Sequence, residues 1–502
     1  MTQTSDIVLQ ATDLGVHLRA LPARRLLDGC SFTLRAGQRL TLVGESGAGK
    51  SLLAQAIMGT LPAALAAHGR LDVLGRATDG QRERTRSLWG RELVMLPQEP
   101  WTALNPLMRL GLQVAETGRH AAGLPWPEAR ARAAQHLQAL GLAQAGGQWL
   151  HQVSGGMAQR VGIACASQSD ARVLIADEPT KGLDAGACAQ VADLLARAQR
   201  QGQALLTITH DLDLARHLGG ELAVLRQGRI IEAGPADAVL QAPRHDYTRA
   251  LIAAQPRHWP ALWPVRSGRV AITADEPLIR ADDIGVDFGP RRVLDGASLT
   301  ITAGQALAVV GPSGCGKTTL GHVLVGVQAI ARGRVQRRAG VPAWRFQKLY
   351  QDPVASFAPG QRLRQGLDDL VRLHRLEAER IPALLQRLKL DEALLARHPG
   401  EVSGGELQRL ALLRVLLLRP AFVFADEPTS RLDALTQRET LGLLCEELGA
   451  EGCALLLVSH DPDLARQATQ QCWHMAAGRL RAGHPAQDRP ASVAEAGHPD
   501  PR

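Results

Sequence analysis

The stretch LTLVGESGAGKS at residues 40–51 decides the fold of this chain, because it returns as LAVVGPSGCGKT at residues 307–318. Both copies contain the pattern G-x-x-x-x-G-K-[ST], which follows a short β-rich apolar run and precedes a helical pattern. Strand, glycine loop and helix in this order form the context in which a phosphate-binding loop works. The chain is therefore predicted to bind phosphate groups at two places.

Three further motifs follow each glycine loop in the same order. They are VSGGMAQR and VSGGELQR at 153–160 and 402–409, VLIADEPTKGLD and FVFADEPTSRLD at 173–184 and 422–433, and TITHD and LVSHD at 207–211 and 457–461. The continuous apolar runs VLIA, FVFA, ALLTIT and ALLLVS are typical of strands that are buried on both faces of a parallel sheet. The recurrence predicts one α/β domain, duplicated in tandem.

Length and composition agree with two soluble globular domains. The chain has 502 residues, of which 45% are apolar and 21% are charged, as is ordinary for such proteins. No apolar run reaches the roughly 18 to 20 residues of a membrane-spanning helix, and the first ten residues predict no secretion signal. The seven cysteines are scattered without metal-ligand spacing, so reduced thiols are expected.

The basic net charge raises the question of a nucleic-acid partner. The charge is +8 and the isoelectric point about 9.5, which is compatible with such a partner. However, the basic residues are mostly arginines interspersed with acidic ones, and only 3% of residues are aromatic. Few side chains could stack on bases, so no nucleic acid is expected.

Prolines and periodicity divide the chain into four segments. The first domain is predicted at 1–241 and the second at 277–480. The proline-containing stretch 242–276 between them is predicted to be a linker. Residues 481–502 lack a periodic apolar pattern, and a disordered tail is expected there.

The glycine loops supply the groups that phosphates need. Their glycines allow backbone N–H groups to converge on an anion, at which the next helix also points its positive end. Lys50 and Lys317 can reach the β- and γ-phosphates, and the hydroxyls of Ser51 and Thr318 are placed for Mg²⁺. The loop residues expected at the nucleotide are Gly44, Glu45, Ser46, Gly47, Ala48, Gly49, Lys50, Ser51 and Leu52, with Gly311, Pro312, Ser313, Gly314, Cys315, Gly316, Lys317, Thr318 and Thr319.

Carboxylates follow two of the buried strands. Asp177 and Asp426 end these strands, where each can join the shell of a magnesium ion. Glu178 and Glu427 come next and can polarise an attacking water. Asp-Glu-Pro-Thr is also a polar turn that can cap the next helix, but its recurrence in both halves favours the catalytic interpretation.

A Ser-Gly-Gly turn alone is an ordinary helix N-cap. Here it lies between a phosphate loop and an acidic strand, and this whole string, present twice, resembles the ATP-binding-cassette family from about residue 7 to about residue 480. The two turns are Ser154, Gly155 and Gly156, and Ser403, Gly404 and Gly405. The resemblance implies two P-loop NTPase domains in tandem, each with a mainly parallel sheet core, an antiparallel β part and a helical subdomain. It also implies ATP hydrolysis with Mg²⁺.

In this family the cassettes face each other head to tail, and each ATP is clamped between one phosphate loop and the opposing Ser-Gly-Gly turn. The resemblance implies that Lys50 and Glu178 work with the turn at 403–405. It implies in the same way that Lys317 and Glu427 work with the turn at 154–156.

The resemblance assigns roles to further residues. His210 and His460 match the switch histidine that contacts the γ-phosphate. Gln98 and Gln351 match the glutamine that senses metal and water and links to the membrane partner. The remaining family positions are the aspartate loops Asp184 and Asp433 and the adenine-stacking aromatic Phe288.

Three departures from the family pattern concern the first half. Leu18 stands where an aromatic residue usually stacks on adenine, Met157 replaces a commoner polar residue, and Lys181-Gly182 departs from the usual small residues. Both acidic pairs and both histidines are present, so two competent sites are expected. Whether the two sites are equal stays open.

The segment APRHDYTRALIAAQP at 242–256 resembles the His-Pro-Tyr-Thr-x-x-Leu tail of peptide and nickel importer ATPases, with Asp246 in place of the proline. The glutamine loops at 98–106 and 351–359 are also long. This resemblance implies the energy-coupling subunit of an importer for peptides, nickel or a metal chelate. Its partners would be two transmembrane permease subunits and a periplasmic or extracellular solute-binding protein. The chain would lie peripherally on the cytoplasmic face of the inner (cell) membrane.

Other classes of tandem ATPase remain as alternatives. A soluble ATPase that acts on ribosomes typically has a long charged helical linker, whereas this linker is short and contains Trp259 and Trp263. A DNA-repair ATPase would need zinc-binding cysteine insertions, which are missing. An exporter half is disfavoured by the importer-like tail.

Overall fold

The computed structural model of the chain describes residues 6–99, 103–200, 202–264, 277–429 and 432–483. The chain divides into two compact units. The first is Met1–Ala254 with Asp433–Leu435, and the second is Gln255–Leu432 with Thr436–Arg502. In the described part of the chain, no helix is both long enough and apolar enough to span a bilayer.

The first unit combines ten strands and nine helices in its described residues. Its strands are β1 Ile7–Leu18, β2 Leu21–Arg35, β3 Arg39–Val43, β4 Leu65–Val73, β5 Arg76–Ala77, β6 Leu93–Leu96, β7 Val173–Asp177, β8 Ala204–Thr209, β9 Glu221–Arg226 and β10 Arg229–Pro235. Its helices are α1 Lys50–Met58, α2 Arg82–Thr85, α3 Leu110–Ala121, α4 Trp126–Ala139, α5 Gly155–Ala166, α6 Ala185–Arg200, α7 Leu212–Leu218, α8 Ala236–Gln241 and α9 Asp246–Ala253.

Two sheets form the β part of the first unit. An antiparallel sheet has the order β2-β1-β4-β5, and a six-stranded sheet has the order β10-β9-β3-β8-β7-β6. The larger sheet is parallel except for the pairing of β10 with β9. Every residue of β7 and β8 is buried. The prediction of buried parallel strands from the apolar runs is thus confirmed.

Helices α3, α4 and α5 form a helical layer of the first unit. Leu110 and Val114 of α3, Leu137 of α4 and Val161 of α5 share one buried cluster with Leu174 of β7. The helical layer therefore packs on the same strand that ends in the predicted metal-binding aspartate.

The second unit repeats this architecture with nine strands and six helices in the described residues. Its strands are β11 Ile279–Phe288, β12 Arg291–Ile301, β13 Ala306–Val310, β14 Arg332–Arg337, β15 Phe346–Leu349, β16 Phe422–Asp426, β17 Ala454–Ser459, β18 Gln471–Ala476 and β19 Arg479–Ala482. Its helices are α10 Lys317–Val325, α11 Leu363–His374, α12 Arg380–Arg387, α13 Gly404–Leu417, α14 Ala434–Ala450 and α15 Pro462–Ala468. The sheet orders are β12-β11-β14 and β15-β16-β17-β13-β18-β19.

The segment predicted as a linker, 242–276, contains ordered structure up to residue 264. Helix α9 belongs to the first unit. Trp259 and Trp263 are buried in a core cluster of the second unit, where the Leu262 N–H donates to the carbonyl of Gln467 at 2.7 Å. Residues 265–276, and residues 484–502 of the predicted tail, lie outside the described residues.

The two units fill one equivalent space in their cores with different side chains. Gly321 of α10 faces Phe424 of β16, and a Cβ added to this glycine would lie 2.2 Å from the ring. The first unit has Ala54 and Ile175 at the equivalent positions. The second unit thus combines Gly321 with the large ring of Phe424, and the first unit combines Ala54 with the smaller side chain of Ile175.

This exchange of volume can be tested by mutation. We expect Gly321→Ala to destabilise the second unit by about 1 to 3 kcal/mol, because the buried ring has no room to retreat. The added substitution Phe424→Ile should recover most of this loss, since it recreates the pair of the first unit. Calorimetric or denaturant unfolding measures both effects.

The matched control is Ala54→Gly, which should cost about 1 kcal/mol through the lower helix propensity of glycine. If Gly321→Ala proved neutral or stabilising, the close packing of Gly321 against Phe424 would be contradicted.

Candidate nucleotide-binding sites

The strand order of the six-stranded sheet brings three motifs of the first unit together. Strand β3 lies between β8 and β9, and β8 lies beside β7. These strands are parallel, so their carboxyl ends meet at one edge, where α/β sheets bind ligands. Gly44 follows β3, His210 follows β8, and Glu178 follows β7. The second unit repeats this order with β13, β17 and β16.

Each phosphate loop requires glycine at its two ends. A Cβ on Gly44 would lie 2.2 Å from the carbonyl oxygen of Leu225. Gly49 has φ +102°, a conformation that favours glycine, and a Cβ there would lie 2.5 Å from Leu27. Gly316 has the matching φ of +110°. The loops of the two units therefore share one backbone shape.

The lysine of each loop is held over its own loop. Lys50 Nζ donates to the carbonyls of Gly44 and Glu45 at 2.7 and 2.9 Å, and Lys317 makes the equivalent bonds at 2.7 and 3.0 Å. Burial lowers the pKa of Lys50, against the opposing effect of Glu178. The ammonium groups are thus placed where a phosphate bound in the loop can meet them.

An orphaned carboxylate oxygen marks a candidate metal position in the first unit. Asp177 Oδ1 is buried and has no hydrogen-bond partner in the described part of the chain. Burial raises the pKa of Asp177 to about 6, against a hydrogen bond from Ser51. In the second unit, Thr318 Oγ1 donates to Asp426 Oδ1 at 3.1 Å. A carboxylate with a neighbouring hydroxyl is a donor set that suits Mg²⁺.

The second site has a lysine where the first site has a methionine. Lys348 of β15 has its ammonium 3.7 Å from Asp426 Oδ2 and 2.7 Å from His322 Nε2. Burial lowers the pKa of Lys348 and raises the pKa of Asp426, and each group partly offsets the shift of the other. The first unit has Met95 at this position. The alignment LVMLPQ against FQKLYQ carried this signal, but sequence reasoning missed it.

Glu178 is buried and lies in the left-handed region with φ +50°. Its Oε2 is 2.9 Å from His210 Nδ1 and accepts from Thr209 Oγ1 at 3.4 Å. Burial alone would raise the pKa of Glu178, but His210 and Lys50 outweigh it and lower that pKa. Burial alone would lower the pKa of His210, but the hydrogen bond and the charge of Glu178 raise it. Each of the two side chains thus favours the charged form of the other.

In the second unit, three predicted residues meet directly. Glu427 has φ +47°; its Oε1 is 2.7 Å from His460 Nε2, and its Oε2 accepts from Gln351 Nε2 at 2.9 Å. In the first unit, Gln98 is half-buried just after β6, the strand that pairs with β7. Both glutamines therefore follow the strand that lies beside the acidic strand.

The Ser-Gly-Gly turns start exposed at the N-termini of α5 and α13. Ser154 Oγ accepts from the N–H of Met157 at 3.3 Å. Ser403 forms a capping box, in which it accepts from the N–H of Glu406 and donates to its carboxylate at 2.5 Å. In the described part of the chain, both serines hydrogen-bond within their own helical turns, and both remain accessible.

The remaining predicted residues take varied positions. Phe288 ends β11 and is 51% exposed, whereas Leu18 ends β1 and packs against the core. Asp184 caps α6 by accepting from the N–H of Ala187 at 3.0 Å, and Asp433 precedes α14. The loops and first helical turns after β3 and β13 contain Ser46, Gly47, Ala48, Leu52, Gly311, Pro312, Ser313, Gly314, Cys315 and Thr319.

Sequence comparison finds relatives along nearly the whole chain. The profile of the family described as ABC transporter matches residues 27–181 and 294–430. A protein of Agrobacterium fabrum named Peptidoglycan transport ATP-binding protein YejF is 34% identical, over 95% of this chain and 93% of that one. The Glutathione import ATP-binding protein GsiA of Pectobacterium atrosepticum is 32% identical, over 96% of this chain and 86% of that one.

Solved structures with two similar units also exist. The archaeal ribosome recycling factor aABCE1, in its complex with the ribosomal stalk protein aP1, has a TM-score of 0.64 at 19% identity, over 93% of this chain and 90% of that one. The RNase-L Inhibitor has a TM-score of 0.61 at 20% identity, over 89% and 86%. Likeness at these identities shows the fold alone.

The orphaned carboxylate predicts a stability effect that depends on pH. We expect Asp177→Asn to stabilise the nucleotide-free protein at about pH 7.5, because a buried charge is removed. The pKa of Asp177 is raised from 3.8 to about 6, so the charged form costs stability as pH rises between these values. The increase in the free energy of unfolding caused by Asp177→Asn should therefore shrink by on the order of 1 kcal/mol when the pH is lowered to about 5. Calorimetry at both pH values measures it.

Asp426→Asn is the matched variant in the second unit. It removes the carboxylate that lies 3.7 Å from the ammonium of the half-buried Lys348, so this cation loses its oppositely charged neighbour. A stabilisation as large as that of Asp177→Asn would contradict the compensating role of Lys348.

Proposed function

Because the chain belongs to the ABC transporter family and is an ATPase coupled to transport, we propose that it is the energy-coupling subunit of an importer for peptide-containing solutes. The names of two relatives support this choice, since they refer to peptidoglycan transport and to glutathione import. The importer-like tail at 242–256 and the long glutamine loops independently support an importer, without distinguishing peptides from nickel or a metal chelate. Nickel or a metal chelate finds no such support in those names.

The observation that carries the catalytic proposal is the pairing of a glutamate with a histidine at the edge of each sheet. Ionised Glu178 can accept a proton from the water that attacks the γ-phosphate, while His210 orients the carboxylate. Lys50 and the N-terminus of α1 bind the phosphates. Mg²⁺, held by Ser51 and Asp177, would neutralise charge on the phosphate oxygens.

We further propose that each ATP is shared between two cassettes. The turns at 154–156 and 403–405 place a serine and N–H groups at a helix N-terminus, an arrangement that suits a γ-phosphate. Since both serines are exposed, they are free to meet a nucleotide held by another phosphate loop. The family resemblance assigns Ser403 to the Lys50 site and Ser154 to the Lys317 site.

Clefts beside the glutamine loops are the proposed docking places for the permease subunits. The first unit has a cleft of about 450 Å³ lined by Pro97, Leu104, Met108 and Gln113, between β6 and the helical layer. The second unit has one of about 250 Å³, beside which Leu373 is 74% exposed. A partner segment in either cleft would contact the loop that leads to the glutamine.

Substitution of the glutamates tests the assignment of the bases. We expect Glu178→Gln and Glu427→Gln each to lower ATP turnover by at least half, and the double variant to lower it by a factor of about 100 or more. Binding of ATP should persist, because the phosphate loops are unchanged. Phosphate release and equilibrium nucleotide binding measure the two effects. If neither single change slows hydrolysis, the assignment is wrong.

The Glu427→Gln variant, in which turnover comes from the Glu178 site, tests which Ser-Gly-Gly turn works with which phosphate loop. There we expect Ser403→Arg to abolish the remaining hydrolysis, because its bulk would occupy the place of the γ-phosphate. Ser154→Arg is the matched control and should act far more weakly, since its proposed partner site is already silent. The reverse order of effects would contradict the proposed pairing.

Transport is tested in cells that carry the chain with its neighbouring genes. We expect two permease genes and a solute-binding protein gene beside it, and uptake of a labelled tripeptide that is lost in Lys50→Ala/Lys317→Ala. Nickel uptake is measured in parallel as the competing solute. Peptide uptake that is indifferent to the double variant, together with cosedimentation with ribosomes, would favour the soluble alternative.

A further inference from the structure

The tail helix α9 packs next to the first phosphate loop. Tyr247 in its first turn is only 5% exposed. It shares a buried cluster with Val43, which is the last residue of β3, and with Leu222 and Val224 of β9. The phosphate loop begins at the residue after Val43. The tyrosine is therefore built into the support of that loop.

A hydrogen bond joins this tyrosine to the loop itself. The backbone N–H of Glu45 donates to Tyr247 Oη at 2.9 Å. The guanidinium of Arg226 lies 4.8 Å from the centroid of the tyrosine ring and stacks on it. Burial raises the pKa of Tyr247 to about 12, so the phenol is neutral at physiological pH. The bond thus joins two neutral groups at the second residue of the loop.

Hydrogen bonds to Glu232 and His245 hold the start of helix α9, where Tyr247 lies. The carboxylate of Glu232 accepts from the N–H groups of Arg244 and His245 at 2.7 and 3.1 Å. His245 Nδ1 then caps α9 by accepting from the N–H of Tyr247 at 3.0 Å. These bonds tie the start of α9 to β10. The tyrosine hydroxyl consequently has little freedom to leave the loop.

The second phosphate loop cannot make this bond. Its second residue is Pro312, which has no N–H to donate. The chain contains only two tyrosines, and the other one, Tyr350, directly precedes the glutamine of the second unit. Gly44 and Gly311 have φ values of +159° and +156°, so the two loops start alike. They differ in that the second residue of the first loop donates a hydrogen bond to Tyr247, whereas Pro312 has no N–H to donate.

We propose that Tyr247 is a positioning residue for the first ATP site alone: through Glu45 it holds the phosphate loop in its anion-binding shape and ties ATP binding there to the tail helix. The second site works without such a hold. This inference rests on the proposed assignment of the two sites to the two phosphate loops. Loss of one hydrogen bond to the loop should weaken ATP binding about two- to tenfold.

The test measures binding of the fluorescent analogue mant-ATP to the full chain carrying Lys317→Ala, which leaves only the first site. We expect Tyr247→Phe, which removes a single oxygen atom, to weaken binding about two- to tenfold. Glu45→Pro removes the donor and should weaken binding by a similar factor, while the loop should keep its fold because the second loop carries proline there. Tyr247→Phe should have no further effect in the Glu45→Pro background, but should keep its effect in Glu45→Ala, which retains the N–H.

The second site supplies the matched comparison. In the Lys50→Ala background, Tyr247→Phe should leave binding of mant-ATP unchanged. Protein labelled with 3-fluorotyrosine has two ¹⁹F resonances, and the one that is absent from Tyr247→Phe should shift when ATP is added. This measurement reports on the unmutated side chain and does not depend on the folding of a loop variant.

The outcomes separate this inference from the proposed function. Equal effects of Tyr247→Phe in the Glu45→Pro and Glu45→Ala backgrounds, or an equal loss at the second site, would overturn the positioning role alone. Complete absence of mant-ATP binding to Lys317→Ala would overturn the assignment of the first site, and this proposal with it.

Discussion

The parallel pairing of three buried strands is the constraint on which both ATP sites depend. Leu206 of β8 lies opposite Leu40 of β3 and Ile175 of β7, so the three strands end side by side. Only this order brings a phosphate loop, a histidine and an acidic pair to one edge. The strands are buried on both faces, which makes the pairing costly to shift because every apolar side chain would be displaced. The placement of the three motifs therefore rests on the packing of buried apolar side chains in these strands.

The two units share this strand order but differ in the residues around the sites. The glutamate, the histidine and the phosphate-loop lysine take equivalent places in both units, whereas the residues behind them differ. The half-buried Lys348 lies beside the aspartate of the second site, and a methionine stands at the equivalent position of the first. A tyrosine accepts a hydrogen bond from the second residue of the first loop, whereas the second residue of the other loop is a proline. These differences lie one contact away from the reacting groups, where they can alter affinity without removing a catalytic group.

The repeated motifs were sufficient to predict the fold class and the strands that carry the sites, because a glycine loop between strand and helix has few other structural meanings. Lys348 escaped prediction because a lone lysine in a short strand usually points to solvent, and only the packing of β15 shows it against Asp426. Tyr247 was noticed as part of a tail, yet its bond to Glu45 joins residues 202 positions apart. Sequence spacing does not report such a bond. The prolines of the predicted linker are compatible with ordered turns, and its tryptophans lie in a core cluster with residues far along the chain.

Two sites on one polypeptide can diverge in a way that two identical subunits cannot. In a homodimer, a substitution that adds a cation beside the aspartate at the end of the acidic strand changes both sites at once. Here Lys348 lies at one site and Tyr247 at the other, so each site can be altered without changing the other. Both sites have the same glutamate, histidine and lysine, and they differ in the residues that pack against these groups. We therefore expect the two sites to differ in how tightly they bind ATP and not in which groups carry out hydrolysis.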